Sequence, residues 1–185
     1  MKNPTIEEFK HHAINREYMS GIEREKARTK ATGEVFTPNH LVIDILNGTP
    51  QHLYADKEAD MLDPTCGDGQ ILSQIVYKKM ENGLSHLEAI TTTWGADLML
   101  DNCIETIKRL YMVDENQIET ITGAKLNEVD KQWRTKGLIA LFKIRNTDGS
   151  LLRIKRPDGK LTAYINIVQA DGIQYDYKFG GYLTA

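Results

Sequence analysis

The stretch "MLDPTCGDGQ", Met61 to Gln70, sets a carboxylate, Asp63, at the end of a short apolar run and follows it with Gly67 and Gly69. Glycine lets the backbone come close to a ligand because no Cβ intervenes. A strand ending in a carboxylate, then glycines, then a helix is the layout of a nucleotide-type cofactor site at the carboxyl edge of a parallel sheet. About thirty residues on, "GADL" puts Asp97 at the end of a second strand-like run, where an acidic side chain can accept both hydroxyls of a ribose. Upstream, "GEVFTP" is a loop running into a helix. Any tight strand-to-helix turn uses glycine, so the chemical reading depends on several pieces occurring in order.

Composition limits what can surround such a site. The chain has 185 residues, 41% hydrophobic and 26% charged, enough for one domain with an ordinary core and a small appendage. No apolar run approaches the ~18 residues of a membrane span, and the start "MKNPTIEEFK" is polar, so a soluble, cytoplasmic protein without membrane contact is expected. Cys66 and Cys103 are too few for a disulfide framework, and the five histidines lack metal-ligand spacing, which argues against a metal site. A net charge of -3 and a pI near 6.0 exclude general adhesion to nucleic acid; any such contact must come from a local patch.

The elements that must position the turn follow from periodicity. Residues from Thr5 to about Lys30 carry a sparse apolar stripe and read as an amphipathic helix. A loop with Gly33 and Pro38 leads to a second helix through Leu41, Ile45 and Leu46. "ADMLDPT" is a strand, and a helix runs from Gln70 to Met80 and stops near Gly83. "ITTTWGADL" is strand-like, "LDNCIETIKRLYM" helical, and "QIETITGA" a possible third strand, which together open a parallel α/β sheet. The alternating segments "GLIALFKIR", "SLLRIKR" and "KLTAYINIVQA", separated by Asp-Gly turns, then predict a β-meander.

In that order, "GEVFTP", "LDPTCGDG", "WGADLMLDN" and "VQADGIQYDYKF" resemble the opening motifs of the amino-group DNA methyltransferases that modify adenine. The resemblance spans Gly33 to Phe179 with gaps. It implies S-adenosylmethionine as cofactor and a Rossmann-like class I fold, here truncated, with N-terminal helices and the meander inserted before the last motif. On it the chain is one domain: a helical segment with the cofactor loop over 1–58, a Rossmann-like half over 59–122, and the meander with the last motif over 123–185. Phe36, Thr37 and Pro38 would close over the cofactor. Asp63 and the Gly67 to Gly69 turn would face its amino-acid part and Asp97 would hold the ribose, with Thr65, Cys66 and Leu98 also among the cofactor-binding residues. Asp171 would accept from the adenine amine and Ile173 pack on the ring. Asp171 fits a plain Asp-Gly turn equally well.

Transfer to an exocyclic amine also needs the Asp/Asn-Pro-Pro-aromatic motif of that family, which hydrogen-bonds the amine and stacks the flipped base. Of five prolines none are adjacent, and the sequence ends at "KFGGYLTA" where the motif is expected. A weak or inactive enzyme when alone is therefore one expectation, a non-catalytic cofactor- or DNA-binding regulatory or decoy module a second, and a structural protein that kept the fold a third. Without the strands of the missing half, "MLDPT" becomes a sheet edge unless the meander, a second copy or a partner subunit covers it. Lys143 to Lys160 holds six basic and two acidic residues, a modest patch for DNA or a solvated hairpin face. "KQWRTK" offers Trp133 for stacking or for packing. Tyr175, Tyr177 and Tyr182 read as packing aromatics.

Overall fold

A computed structural model of the chain describes residues 3–15, 37–156 and 159–183. Gly33 and Phe36 of the expected cofactor loop, most of the expected first helix and the Pro157-Asp158 turn lie outside the described residues.

Helix α1, Ile6–Phe9, starts at a capping box: the Thr5 hydroxyl accepts from the Glu8 N–H at 3.2 Å, and Glu8 accepts from the Thr5 N–H at 2.8 Å. It continues as a π-helical turn over Lys10–Ile14 and bends at Asn15. Helices α2 (Asn39–Asn47) and α3 (His52–Ala55) lead into β1, Met61–Asp63. From there α4 (Gln70–Glu81) and α5 (His86–Thr91) form a crossover to β2, Thr93–Asp97. Then come α6 (Leu100–Tyr111), β3 (Ile118–Thr122), α7 (Ala124–Asn127), β4 (Leu138–Ile144), β5 (Ile154–Lys155), β6 (Leu161–Thr162) and β7 (Ile167–Ala170).

Five strands form one mixed sheet in the order β1-β2-β7-β4-β3. β1, β2 and β7 are parallel neighbours, with Asp63 opposite Gly95 and Asp97 opposite Gln169. β4 runs antiparallel to both β7 and β3. The α/β class expected from the sequence holds, and β4 and β7 of 123–185 share this sheet with β1, β2 and β3 of 59–122. The expected meander forms only in part: Arg145 makes an antiparallel bridge to Leu151 and β5 pairs with β6, but β7 does not continue it. β5 and β6 make a separate two-stranded ribbon, and β7 leaves it to enter the sheet between β2 and β4. The segment "INIVQA" explains this: Ile167 and Val168 point to opposite faces and are both fully buried, which suits a central strand covered on both sides. Alternation alone does not distinguish such a strand from one half-solvated in a meander.

The two faces are covered differently. On one, Leu72, Ile75 and Val76 of α4 and Ile107 and Leu110 of α6 pack against Phe142, Ile144 and Ile167. The other carries an aromatic layer: Trp94 meets Phe179 at 5.0 Å, Tyr175 meets Phe179 at 5.5 Å, and Trp133 meets Tyr164 at 5.3 Å and Tyr182 at 6.0 Å. Trp133, Tyr175 and Tyr182 are thus packing residues, and Trp133 is only 5% exposed. Arg156 belongs to the same layer, its guanidinium 4.6 Å from the Trp94 ring and 4.7 Å from that of Tyr182. It also donates to the Asn166 side chain and, at 3.0 Å, to the Tyr164 carbonyl.

β1 pairs only with β2 and forms a sheet edge among the described residues. No helix among them is long and apolar enough to cross a membrane.

Candidate functional site

Because β1, β2 and β7 are parallel, their carboxyl ends share one edge, where Asp63, Asp97 and the segment from Asp171 lie. Asp63 is 9% exposed. One of its oxygens accepts from the Thr65 N–H at 3.1 Å, and the other has no partner among the described residues. Burial raises its pKa above the ordinary 3.8, and the nearby Asp97 carboxylate raises it further, against the lowering effect of the Thr65 bond. Asp63 is thus a destabilised carboxylate with one oxygen open at the strand end, beside a second carboxylate.

The turn after it is tied to its surroundings at every step. The Cys66 N–H donates to the Ala96 carbonyl of β2 at 2.9 Å, and the Gly69 N–H to the Cys66 carbonyl at 2.8 Å. Cys66 itself is buried, and burial pushes its thiol well above the usual range, so its side chain is packing rather than a nucleophile. Gly69 has φ 84, and a Cβ there would lie 2.9 to 3.1 Å from atoms of Thr106. Only glycine fits a left-handed residue pressed against α6. Helix α4 starts directly after it with no side-chain cap and no acidic residue in its first turn.

Asp97 is placed where the sequence reading expects it, at the end of β2, with a further structural duty. Its Oδ2 accepts from the Gly67 N–H at 2.9 Å; its Oδ1 accepts from the Met99 N–H at 2.8 Å and from the Asn102 side chain at 3.1 Å. A carboxylate has about four acceptor positions. Three are taken by the protein, which leaves one open.

Three residues that the sequence reading passed over complete the turn. Asn102, Thr106 and Arg109 lie at i, i+4 and i+7 on α6, one helical face. Asn102 holds Asp97; the Thr106 hydroxyl donates to the Gly67 carbonyl at 2.9 Å; Arg109 donates to Asp68 at 3.1 Å and to the Ala13 carbonyl at 3.2 Å. Asp68 and Arg109 are both buried. Asp68 therefore points into the fold and fastens the turn to α6 and to the N-terminal segment. Their helical spacing was readable in the sequence, but with Asp101, Glu105 and Lys108 on the same helix nothing in it marked these three polar residues out.

Thr37 and Pro38 precede α2, whose Asn39 accepts from the Gln74 side chain of α4 at 3.3 Å. Beside Asn39 a cavity of about 50 Å³ is lined by residues that include Gln70, Ser73 and Arg109; Thr37 and Pro38 are not among its lining residues. Thr65 and Leu98 are exposed at the rim. Asp171 follows β7, with one oxygen accepting from the Ile173 N–H at 3.0 Å and the other from the Gln174 side chain at 2.7 Å. Ile173 is 96% exposed and packs on nothing. Asp63, Cys66, Gly67, Gly69 and Asp97 thus form one connected unit, with Asp171 and Ile173 on a separate turn of the same edge.

In the basic run over 143–160, Arg153, Lys155 and Lys160 are exposed. Arg156 is buried, Arg145 pairs with Glu119 at 2.6 Å, and Lys143 lies 4.9 Å over the Tyr164 ring. The described residues contain no group of three or more His, Cys, Asp or Glu side chains that could hold a metal ion. No family model, curated protein or solved structure matches this chain.

Proposed function

We propose that the chain binds S-adenosylmethionine at the carboxyl ends of β1 and β2, in a Rossmann-like half of the kind found in amino-group DNA methyltransferases. The observation that carries this reading is Asp63: a nearly buried carboxylate with one oxygen unused, destabilised by a second carboxylate beside it and followed by a glycine turn. An amino-acid ammonium supplies the missing donor and charge. The uncapped start of α4 favours the carboxylate of the same ligand, and the remaining acceptor position on Asp97 suits one ribose hydroxyl. The parallel β1–β2 pair with its helical crossover supports the fold assignment.

A second reading, a cofactor- or DNA-binding module without turnover, is favoured by two observations. Both Asp171 oxygens are engaged within their own turn, and none of the five prolines are adjacent. Transfer to an adenine amine then requires groups from another chain or segment. The open edge of β1, with Leu62 39% exposed, is where a partner strand or a second copy would join.

Calorimetric titration with S-adenosylmethionine and S-adenosylhomocysteine tests the first reading; a single saturable site for each is expected, and no heat with either removes it. Labelled methyl transfer to mixed-sequence DNA separates the two. The chain alone is expected to show no repeated turnover, and sustained turnover would exclude the binding-module reading.

A further inference from the structure

We propose that the groove between the α1 segment and the far end of α6 binds a small organic cation, an ammonium or guanidinium on an apolar body. The groove is a space of about 670 Å³, within the range of small-molecule sites and far larger than the hollow beside Asn39. It lies away from the carboxyl edge of the sheet. Helix α6 starts just after β2 and runs 12 residues, about 18 Å, to Tyr111, where the groove opens. The proposal therefore stands independently of the cofactor reading.

One wall is a single helical face. Pro4, Glu7, Glu8, His11 and His12 recur at spacings of three and four, while Phe9 and Ala13 turn the opposite way into the core. Tyr111 and Met112 form the other wall. The two walls are fastened together: His12 Nε2 lies 3.0 Å from the Lys108 carbonyl, which can only accept, and Arg109 donates to the Ala13 carbonyl at 3.2 Å. Each wall also carries a backbone irregularity. His11 and His12 belong to the π-helical turn Lys10–Ile14, a form that recurs at functional sites, and Met112 has φ 53.

The lining selects for positive charge. Its described residues include two carboxylates and no lysine or arginine. Glu8 is held in the capping box, whereas the Glu7 carboxylate has no hydrogen bond or ion pair among the described residues. The carboxyl end of α6 adds a partial negative charge. Cations on the two walls are engaged elsewhere: Lys10 lies 5.6 Å over the Tyr77 ring, Lys108 pairs with Glu105, and Arg109 pairs with Asp68. With Nε2 donating, a neutral His12 keeps Nδ1 as an acceptor. Pro4, Tyr111 and Met112 supply apolar surface for the body of the ligand.

Titration of the full chain with phenethylammonium, followed by amide NMR shifts, tests this against phenethyl alcohol, which has the same shape without the charge. The ammonium should move the Glu7, His11 and Met112 amides saturably with a Kd of about 1–10 mM, leave those of Gly67 and Asp97 in place, and bind roughly 10-fold tighter than the alcohol. Glu7→Gln leaves the capping box intact and should weaken the ammonium about 3- to 10-fold with the alcohol unchanged. Met112→Gly, suited to φ 53, should weaken both probes about 3- to 10-fold. Shifts that do not saturate, or that fall on Gly67 and Asp97, overturn the groove as the site. Equal affinity for the two probes, or full affinity in Glu7→Gln, overturns the selection for a cation. Neither result bears on S-adenosylmethionine binding at β1 and β2, and a chain that binds no S-adenosylmethionine leaves these expectations in force.

Discussion

β1 and β2 end in two polar sites of opposite sign. At their amino ends the Lys79 ammonium, fully buried, donates to the Ala59 carbonyl at 2.8 Å, the Thr92 carbonyl at 3.1 Å and the Thr92 hydroxyl at 2.6 Å. An ammonium has three protons, and all three are used. At their carboxyl ends Asp63, also nearly buried, makes one bond and leaves an oxygen without a partner among the described residues. Burial penalises the charge at both ends: it lowers Lys79 from 10.5 to about 8, against the pull of Asp60 and Asp56, and it raises Asp63. A saturated buried charge is a structural clamp. An unsaturated one destabilises the fold until a ligand completes it, the arrangement expected of a binding site.

Lys79→Ala should have the largest effect on the amino end. It leaves the Ala59 carbonyl without its donor, while the Thr92 carbonyl keeps the Met61 N–H at 2.9 Å, and it opens a cavity, for a loss of about 2 kcal/mol in urea unfolding. The clamp also has a pH signature. The unfolded chain keeps Lys79 at its ordinary 10.5, so between about 8 and 10.5 the unfolded state holds more protons and stability rises with pH. Unfolding curves at intervals from pH 8 to 10 should show a positive slope of up to ~1.4 kcal/mol per unit from this group, and Lys79→Met should flatten it. A loss within experimental error of zero in Lys79→Ala would make the two ends equivalent.

On the carboxyl side, Gly69→Ala should destabilise by about 2 kcal/mol, combining left-handed strain with contact against Thr106. Thr106→Ala should relieve part of it, a coupling readable in a double-mutant cycle. A fully additive pair would mean that α6 does not shape the turn.

These expectations differ in how far the sequence alone supports them. The glycine turn, Asp63 and Asp97 are legible because their spacing is local: a strand, two glycines and a helix occupy one stretch, and Asp97 closes the next strand. Asn102, Thr106 and Arg109 are not, because polar residues on a helix ordinarily face water and only the packing of α6 against the turn assigns them partners. Arg156 misled for the same reason. Its charge counts toward a surface patch, while its flat guanidinium lies between Trp94 and Tyr182. The place of β7 was hidden by chain order, since it reaches β2 only after β3, β4 and the ribbon.

Asp97 lies between the two extremes, with three acceptor positions filled and one open. Asp97→Asn should therefore show a mixed effect, about 1 to 2 kcal/mol of stability lost with the Gly67 and Met99 bonds weakened, and cofactor affinity reduced alongside. Loss of affinity at full stability would make Asp97 a ligand contact alone. Loss of stability at full affinity would make it scaffold.

The most direct test of the contrast is Asp63→Asn, measured in one preparation for both unfolding free energy and S-adenosylmethionine affinity. The amide keeps an acceptor for the Thr65 N–H and removes a buried charge that lies beside Asp97. The folded state holds Asp63 at a raised pKa, so its contribution is most favourable at low pH and is lost as pH rises past that value; at pH 7 the carboxylate destabilises the empty protein. Asp63→Asn should thus be as stable as wild type or more stable at pH 7, while binding S-adenosylmethionine roughly 10- to 150-fold more weakly. A variant that is clearly less stable, or that binds as well as wild type, would contradict the assignment of Asp63 as the unsaturated group that the ligand completes.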